Sequence, residues 1–250
     1  MAVIAVYSVK GGVGKTTIAV DLAWRSATHS RCNTLLWDLD PQGGAAFLLG
    51  QAERPCPRSA SVFQREGKPR QLIADTLYPK LSLLQADESL RSLPVQLARL
   101  GQRRRLQTLT NYLRAEYDHI VLDCPGGLNE VSDQVLTAAD VLIVPLPPSP
   151  LSARALDTIR CELLRNHQRH PPILPVLSMY DHRRKLHRDA AESTASGWPI
   201  VPLASQLELS AVKRAPIGSF ADGCDADRSL GRLWNAIEAK LGDRQLAMAC

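Results

Sequence analysis

Eight consecutive residues, Lys10-Gly11-Gly12-Val13-Gly14-Lys15-Thr16-Thr17, carry the densest chemistry in the chain. A residue without Cβ enters left-handed backbone conformations freely, so three glycines let successive N–H groups turn toward the oxygens of a polyphosphate. A helix N-terminus directly behind the loop adds partial positive charge. Lys15 supplies full charge for the outer phosphates, and the Thr16 hydroxyl suits a divalent cation. A mere tight turn would not call for two lysines and two threonines around those glycines.

Two further segments end in carboxylates. Thr34 to Asp38 is apolar up to Asp38-Leu39-Asp40-Pro41-Gln42-Gly43-Gly44, and His119-Ile120-Val121-Leu122-Asp123 is broken at once by Cys124-Pro125-Gly126-Gly127. Asp38 alone could be a strand-end charge and Asp40 a turn cap. Together with a phosphate loop, they are candidates for the metal and for orienting water.

Such residues must be brought together by a scaffold. Val3 to Ser8 is a short β-branched run entering the loop, and Ile18, Leu22 and Ala23 then mark one face of a helix. Leu81 to Gln85, Val141 to Pro145 and Ile173 to Met179 read as further strands, with helical patterns over 96–116 and Ser152 to Asn166. Near-continuous apolar strands alternating with helices predict an α/β fold, with a mostly parallel sheet covered by helices on both faces. Ligands in such sheets bind at the C-terminal ends of the strands. Residues 51–70, rich in Pro, Arg, Ser and Glu, read as a surface excursion with one short helix. Leu230, Leu233, Trp234, Ile237 and Leu241 predict a closing core helix over about 229–241.

Composition agrees with one globular domain over 1–250: 250 residues, 45% apolar and 22% charged. The apolar runs are far shorter than the ~20 residues needed to cross a bilayer, and the N-terminus lacks a secretory pattern, so a cytoplasmic address is expected. Six cysteines, at 32, 56, 124, 161, 224 and 250, have no C-x-x-C pair and no histidine at metal-ligand spacing. The six histidines form no ligand set or triad. A net charge of +5 and an isoelectric point near 9.0 favour acidic partners such as nucleic acid or anionic lipid.

The loop does not fit G-x-x-x-x-G-K-[ST], whose first glycine would fall on Val9; it fits K-G-G-x-G-K-[ST]. In this it resembles the deviant Walker A ATPases, the family of ParA and MinD. Asp38-Leu39-Asp40-Pro41-Gln42-Gly43 is similar to the family's D-x-D-P-Q-G, Val121-Leu122-Asp123-Cys124-Pro125 to its Walker B strand, and Leu177-Ser178-Met179-Tyr180-Asp181 to the segment leading toward its adenine pocket. The resemblance covers roughly residues 2 to 240 and is strongest in the first 50.

The resemblance implies ATP and Mg²⁺ as cofactors and a set of roles. Gly11, Gly12, Val13, Gly14, Lys15, Thr16 and Thr17 would hold the phosphates. Thr16, Asp38 and Asp123 would serve the metal, Asp123 through water. Asp40 would position the attacking water, and Lys10 would reach across an ATP-sandwiched homodimer to the partner's phosphates. Met179, Tyr180 and Pro202 would lie near adenine. Hydrolysis would be slow and stimulated by a ParB-like or cargo-adaptor protein, releasing an ATP dimer from nonspecific DNA and so segregating or positioning a plasmid, chromosome or protein complex. The lack of a preceding DNA-binding segment resembles the short stand-alone members.

Two features depart from the family pattern: Gly126-Gly127, where relatives usually carry a second proline and a small residue, and Asp181, where many carry other polar groups. For nucleoid DNA the candidates are Arg183, Arg184, Lys185 and Arg188, with Lys213 and Arg214, since clustered cations release counterions whatever the base sequence; a solvated face is the plain alternative. Arg103-Arg104-Arg105 reads as solvation, and Tyr180 and Trp198 as core or pocket residues. A MinD-like ATPase cycling on the membrane is the rival, although 242–250 has one arginine and few bulky residues for an amphipathic tail. A related biosynthetic ligase or reductase iron protein would want a substrate pocket or paired cluster cysteines.

Overall fold

A computed structural model describes residues 1–51, 59–64, 67–101, 104–166 and 170–249. Arg103, Cys56 and Cys250 lie outside these described residues.

Eight strands form one sheet: β1 (Ala2–Val6), β2 (Thr34–Asp38), β3 (Ile73–Asp75), β4 (Leu81–Leu84), β5 (His119–Asp123), β6 (Val141–Leu146), β7 (Ile173–Tyr180) and β8 (Ile200–Pro202). Their order is β3-β4-β2-β5-β1-β6-β7-β8. All neighbours are parallel except β3, which runs antiparallel to β4 at the edge. The helices are α1 (Lys15–Thr28), α2 (Gly44–Leu48), α3 (Leu93–Leu100), α4 (Arg105–Tyr112), α5 (Glu130–Ala138), α6 (Pro150–Asn166), α7 (Lys185–Glu192), α8 (Ser205–Lys213) and α9 (Asp225–Ala249). The fold is the expected single-domain α/β type.

Side chains of β1 alternate between two apolar layers, which is why the strand reads as unbroken apolar sequence. Val3, Ala5 and Tyr7 join Trp37, Leu122 and α3 to α6 on one face. Ala2, Ile4 and Val6 join α1, Leu36, Val121 and α9 on the other. From β1 the chain moves to β2 on one side and later to β6 on the other, with β5 inserted between β1 and β2. This reversal of direction opens a crevice at the C-terminal end of β1.

Several expectations need correction. Within the supposed surface excursion, Ser59–Phe63 is a buried 3₁₀ turn whose Phe63 ring lies 5.9 Å from that of Trp37. The helical pattern over 96–116 is two helices, because Gly101 (φ 60°) ends α3 with a left-handed cap. Arg105 is not simply solvated: its guanidinium donates to the carbonyls of Val62, at 3.3 Å, and Gln64, and burial holds its pKa below the ordinary value. The closing helix is longer than expected, and β3 and β8 had no counterpart in the sequence reading.

Candidate functional site

The loop between β1 and α1 is held open by its glycines. Gly12 (φ +67°) and Gly14 (φ +86°) sit in the left-handed region that favours glycine. Gly11 needs no such φ, yet a Cβ on any of the three would meet nothing within 4 Å. All three glycines therefore face open space. Gly14 caps α1 without any side-chain hydrogen bond, so the helix starts with unsatisfied N–H groups. The contrast is α5, where Asn129 and Ser132 complete a capping box. A helix N-terminus without a side-chain cap behind a glycine loop suits an anion.

Both candidate lysines belong to this loop but differ in setting. Lys15 is buried, and its Nζ donates to the carbonyl of Lys10 at 3.3 Å. Lys10 lays its Nζ against the Oγ atoms of Ser149 (3.4 Å) and Ser152 (3.3 Å), at the start of α6. Those two serines were not singled out from the sequence, and nothing local marks them; they meet Lys10 across 139 and 142 residues.

The strand-end aspartates meet as register requires. Asp38 and Asp123 are Cα partners on β2 and β5, and both are fully buried. Asp38 accepts the N–H of Asp40 (2.9 Å) on one oxygen and that of Ala45 (3.1 Å) on the other. Burial, then the charge of Asp123, pushes its pKa well above the carboxylate range. Asp123 has no hydrogen-bond partner on either oxygen among the described residues. Burial pushes its pKa up to about 7 despite the Thr16 hydroxyl and Lys15, which lower it. Asp40 is half-buried and accepts the N–H of Gln42 at 3.0 Å, forming a turn. Gly44, at the start of α2, packs so closely that a Cβ there would lie 3.1 Å from Thr16 Cγ2.

A buried carboxylate with both oxygens orphaned, beside a second carboxylate and a threonine, fits a divalent cation. No group of three or more His, Cys, Asp or Glu among the described residues makes a protein cage. Mg²⁺ characteristically takes one or two carboxylates and completes its shell with phosphates and water.

Other expected residues fall less neatly. Thr17 lines a narrow cleft with Val20, Asp21, Leu207 and Ser210, between α1 and α8. Met179, Tyr180 and Pro202 lie at the C-terminal ends of β7 and β8, on the edge of the sheet that carries the loop; Met179 is in a left-handed conformation (φ 54°) and part exposed. Of the basic residues, Arg183 makes two hydrogen bonds to Asp181 (2.9 and 3.0 Å), and Arg184 lies 3.6 Å from the same carboxylate. Arg188 donates to the His182 carbonyl at 2.8 Å, and the Arg214 guanidinium sits 4.6 Å above the Phe47 ring. Lys185 and Lys213 stand exposed at the start of α7 and the end of α8.

A family model described as an AAA domain matches residues 1–170. The chromosome partitioning protein ParA of Caulobacter vibrioides NA1000 is 30% identical over 263 aligned residues, spanning 100% of this chain and 98% of that protein. The chain belongs to the ParA/MinD family of P-loop ATPases. Solved members share the fold. An ATP complex of a McdA variant from Cyanothece superposes with a TM-score of 0.82 at 20% identity, covering 97% of this chain and 96% of that one. The septum site-determining protein MinD of Pyrococcus horikoshii, solved with Mg-ADP, gives 0.77 at 18% identity, covering 94% and 95%. Within this family the glycine loop, the lysines and the aspartate pair are the candidates for the nucleotide site. No helix among the described residues is long and apolar enough to cross a membrane.

Proposed function

We propose that this chain is a ParA-like ATPase that dimerises with ATP, binds nonspecific DNA as the dimer, and is released when a partner protein stimulates its slow hydrolysis. The observation that carries this is the difference between two lysines on one loop. Lys15 is buried beside the aspartate pair, in position to serve phosphates in cis. Among the described residues the Lys10 ammonium meets two neutral serine hydroxyls, so a stronger, anionic acceptor on a second subunit can draw it away.

In this scheme the N–H groups of 11–17 bind the phosphates, and Lys15 balances their charge. Thr16 and Asp123 hold Mg²⁺, with Asp38 supporting them, and the bound ion would neutralise the phosphate oxygens. Asp40 orients the attacking water. Phosphoryl transfer needs mainly positioning and charge stabilisation, so this set suffices for slow turnover. Met179, Tyr180 and Pro202 flank the adenine. Arg183, Arg184, Lys185, Arg188, Lys213 and Arg214 form the DNA surface, reading backbone charge alone. The protein acts in the cytoplasm on the nucleoid, and a ParB-like or cargo-adaptor protein couples it to a plasmid, chromosome or protein complex. The name of the Caulobacter relative and the nucleotides in the two solved members support this scheme.

The test is DNA co-sedimentation with ATP, with ADP and without nucleotide. Wild type should bind DNA with ATP only, and Lys15→Ala should bind under no condition. Equal binding with ATP and ADP would refute the switch; ATP-dependent binding to anionic liposomes without DNA binding would replace it with a membrane cycle. Lys10→Ala should bind nucleotide yet stay monomeric by light scattering.

A further inference from the structure

Tyr7 follows β1 and is fully buried, with its backbone N–H donating to the Ile143 carbonyl at 2.9 Å. Its phenol is not idle: the O–H donates to the carbonyl of Gly127 at 2.8 Å, 120 residues along the chain. Burial pushes the phenol's pKa above its ordinary value, outweighing the Ser132 hydroxyl that lowers it, so the group stays protonated and able to donate this hydrogen bond.

The acceptor lies in the loop that follows Asp123. Its two ends are fixed, by the strand pairing of Asp123 and by the Asn129–Ser132 capping box. The middle is not. Gly126 and Gly127 are adjacent glycines, which lose more backbone freedom than other residues when held in one conformation. Gly127 has φ +96°, and a Cβ there would meet nothing within 4 Å, so no side-chain packing fixes it. The phenol bond does. Gly126 meanwhile abuts the phosphate loop: a Cβ on it would lie 3.8 Å from Lys15 Nζ and 3.9 Å from the Gly11 nitrogen. Tyr7 stands three residues before Lys10 on the same run of chain that carries the phosphate loop, so the bond ties the loop after β5 to the run that follows β1.

We propose that Tyr7 is a positioning residue for nucleotide hydrolysis, its hydroxyl holding the Gly126–Gly127 backbone against Lys15 and Gly11, where the terminal phosphate and the attacking water must sit. This rests on the ATPase reading above. A side chain the length of tyrosine, buried at the end of β1, here supplies rigidity that two glycines lack.

Tyr7→Phe keeps the ring and removes the bond. In steady-state phosphate release, kcat should fall roughly three- to tenfold, the size expected for one neutral hydrogen bond, while KM and the Kd for a fluorescent ATP analogue stay within about twofold. Hydrogen exchange of amides 126–131 should quicken, with β1, β5 and α1 unchanged. An unchanged or raised kcat overturns the proposal. So does a loss of affinity matching the loss of turnover, or faster exchange spread evenly through the sheet, which is what a merely structural tyrosine would give. If wild type itself binds no ATP, the ATPase reading fails instead, and the exchange experiment still reports on the tether.

Discussion

Two pairs of buried aspartates lie in this fold, and among the described residues one pair holds an ion-paired arginine between its members. Asp21 on α1 and Asp227 on α9 both pair with Arg25, which is itself 2% exposed; Arg25 also donates to the Asp227 carbonyl at 3.1 Å. Asp38 and Asp123, side by side on β2 and β5, have no such partner. Burial raises Asp227's pKa, but Arg25 and the Gly223 N–H outweigh it and leave the group below its usual range; at Asp21 burial wins over Arg25. Asp38 and Asp123 are both pushed up. Buried charge that carries its own counterion ties α1 to the closing helix. At the strand ends Lys15 lowers the pKa of Asp123 without reversing the rise that burial causes.

The largest effect expected from breaking this contrast is on the paired side. Arg25→Met leaves two acids buried without their counter-charge and should cost about 3–5 kcal/mol, a fall in melting temperature of roughly 6–20 °C for a chain of this size. Mg²⁺ and nucleotide should not erase the difference from wild type, because the lesion lies outside their site. A fall of only a degree or two in calorimetry would mean that the triad contributes little.

On the unpaired side the sign reverses. Asp123→Asn removes a charge that the ligand-free protein accommodates poorly, so it should raise apo stability by about 1–3 kcal/mol at neutral pH. It should also abolish the thermal stabilisation that Mg²⁺ and nucleotide give wild type, along with turnover. The pH dependence follows from the direction of the shift. A carboxyl with a raised folded-state pKa contributes fully below its ordinary value near 4 and loses that contribution as pH rises through about 7. Ligand-free wild type should therefore lose stability relative to Asp123→Asn between those limits, and equal slopes in parallel melts would remove the strain argument.

The unpaired site was legible in sequence and the paired one was not, for a physical reason. A carboxylate ending an apolar strand announces itself within five residues, and the extents read for β2 and β5, Thr34–Asp38 and His119–Asp123, match the structure. Glycines and lysines of the phosphate loop are equally local. Arg25 meets Asp227 across 202 residues, and Tyr7 meets Gly127 across 120, distances at which a single sequence carries no signal. Tyr7 also passes for one more apolar residue of a buried strand. Strands β3 and β8 have three residues each, too few to display a period. The leucine spacing that suggested one helix over 96–116 persists through Gly101 because α3 and α4 pack on the same core.

The contrast recurs more mildly at the surface, and there it bears on DNA. Asp181 lies under Arg183 and Arg184, whose hydrogen bonds and charge hold its carboxyl well below the usual range. The cluster proposed to meet phosphate backbone therefore presents two guanidiniums already engaged, with Lys185 and Arg188 beside them. Asp181→Asn removes the competing anion and keeps a side chain of the same shape, so the arginines become available to an external phosphate. The two arginines are exposed while Asp181 itself is buried, so the melting temperature should fall by no more than about 4 °C. Binding of the ATP-bound protein to nonspecific DNA should strengthen roughly two- to fivefold at low salt, with a steeper dependence on salt, since more phosphates are neutralised. If fluorescence anisotropy shows unchanged affinity and an unchanged salt slope, Arg183 and Arg184 belong to the fold, and the DNA surface must be sought at Lys213 and Arg214.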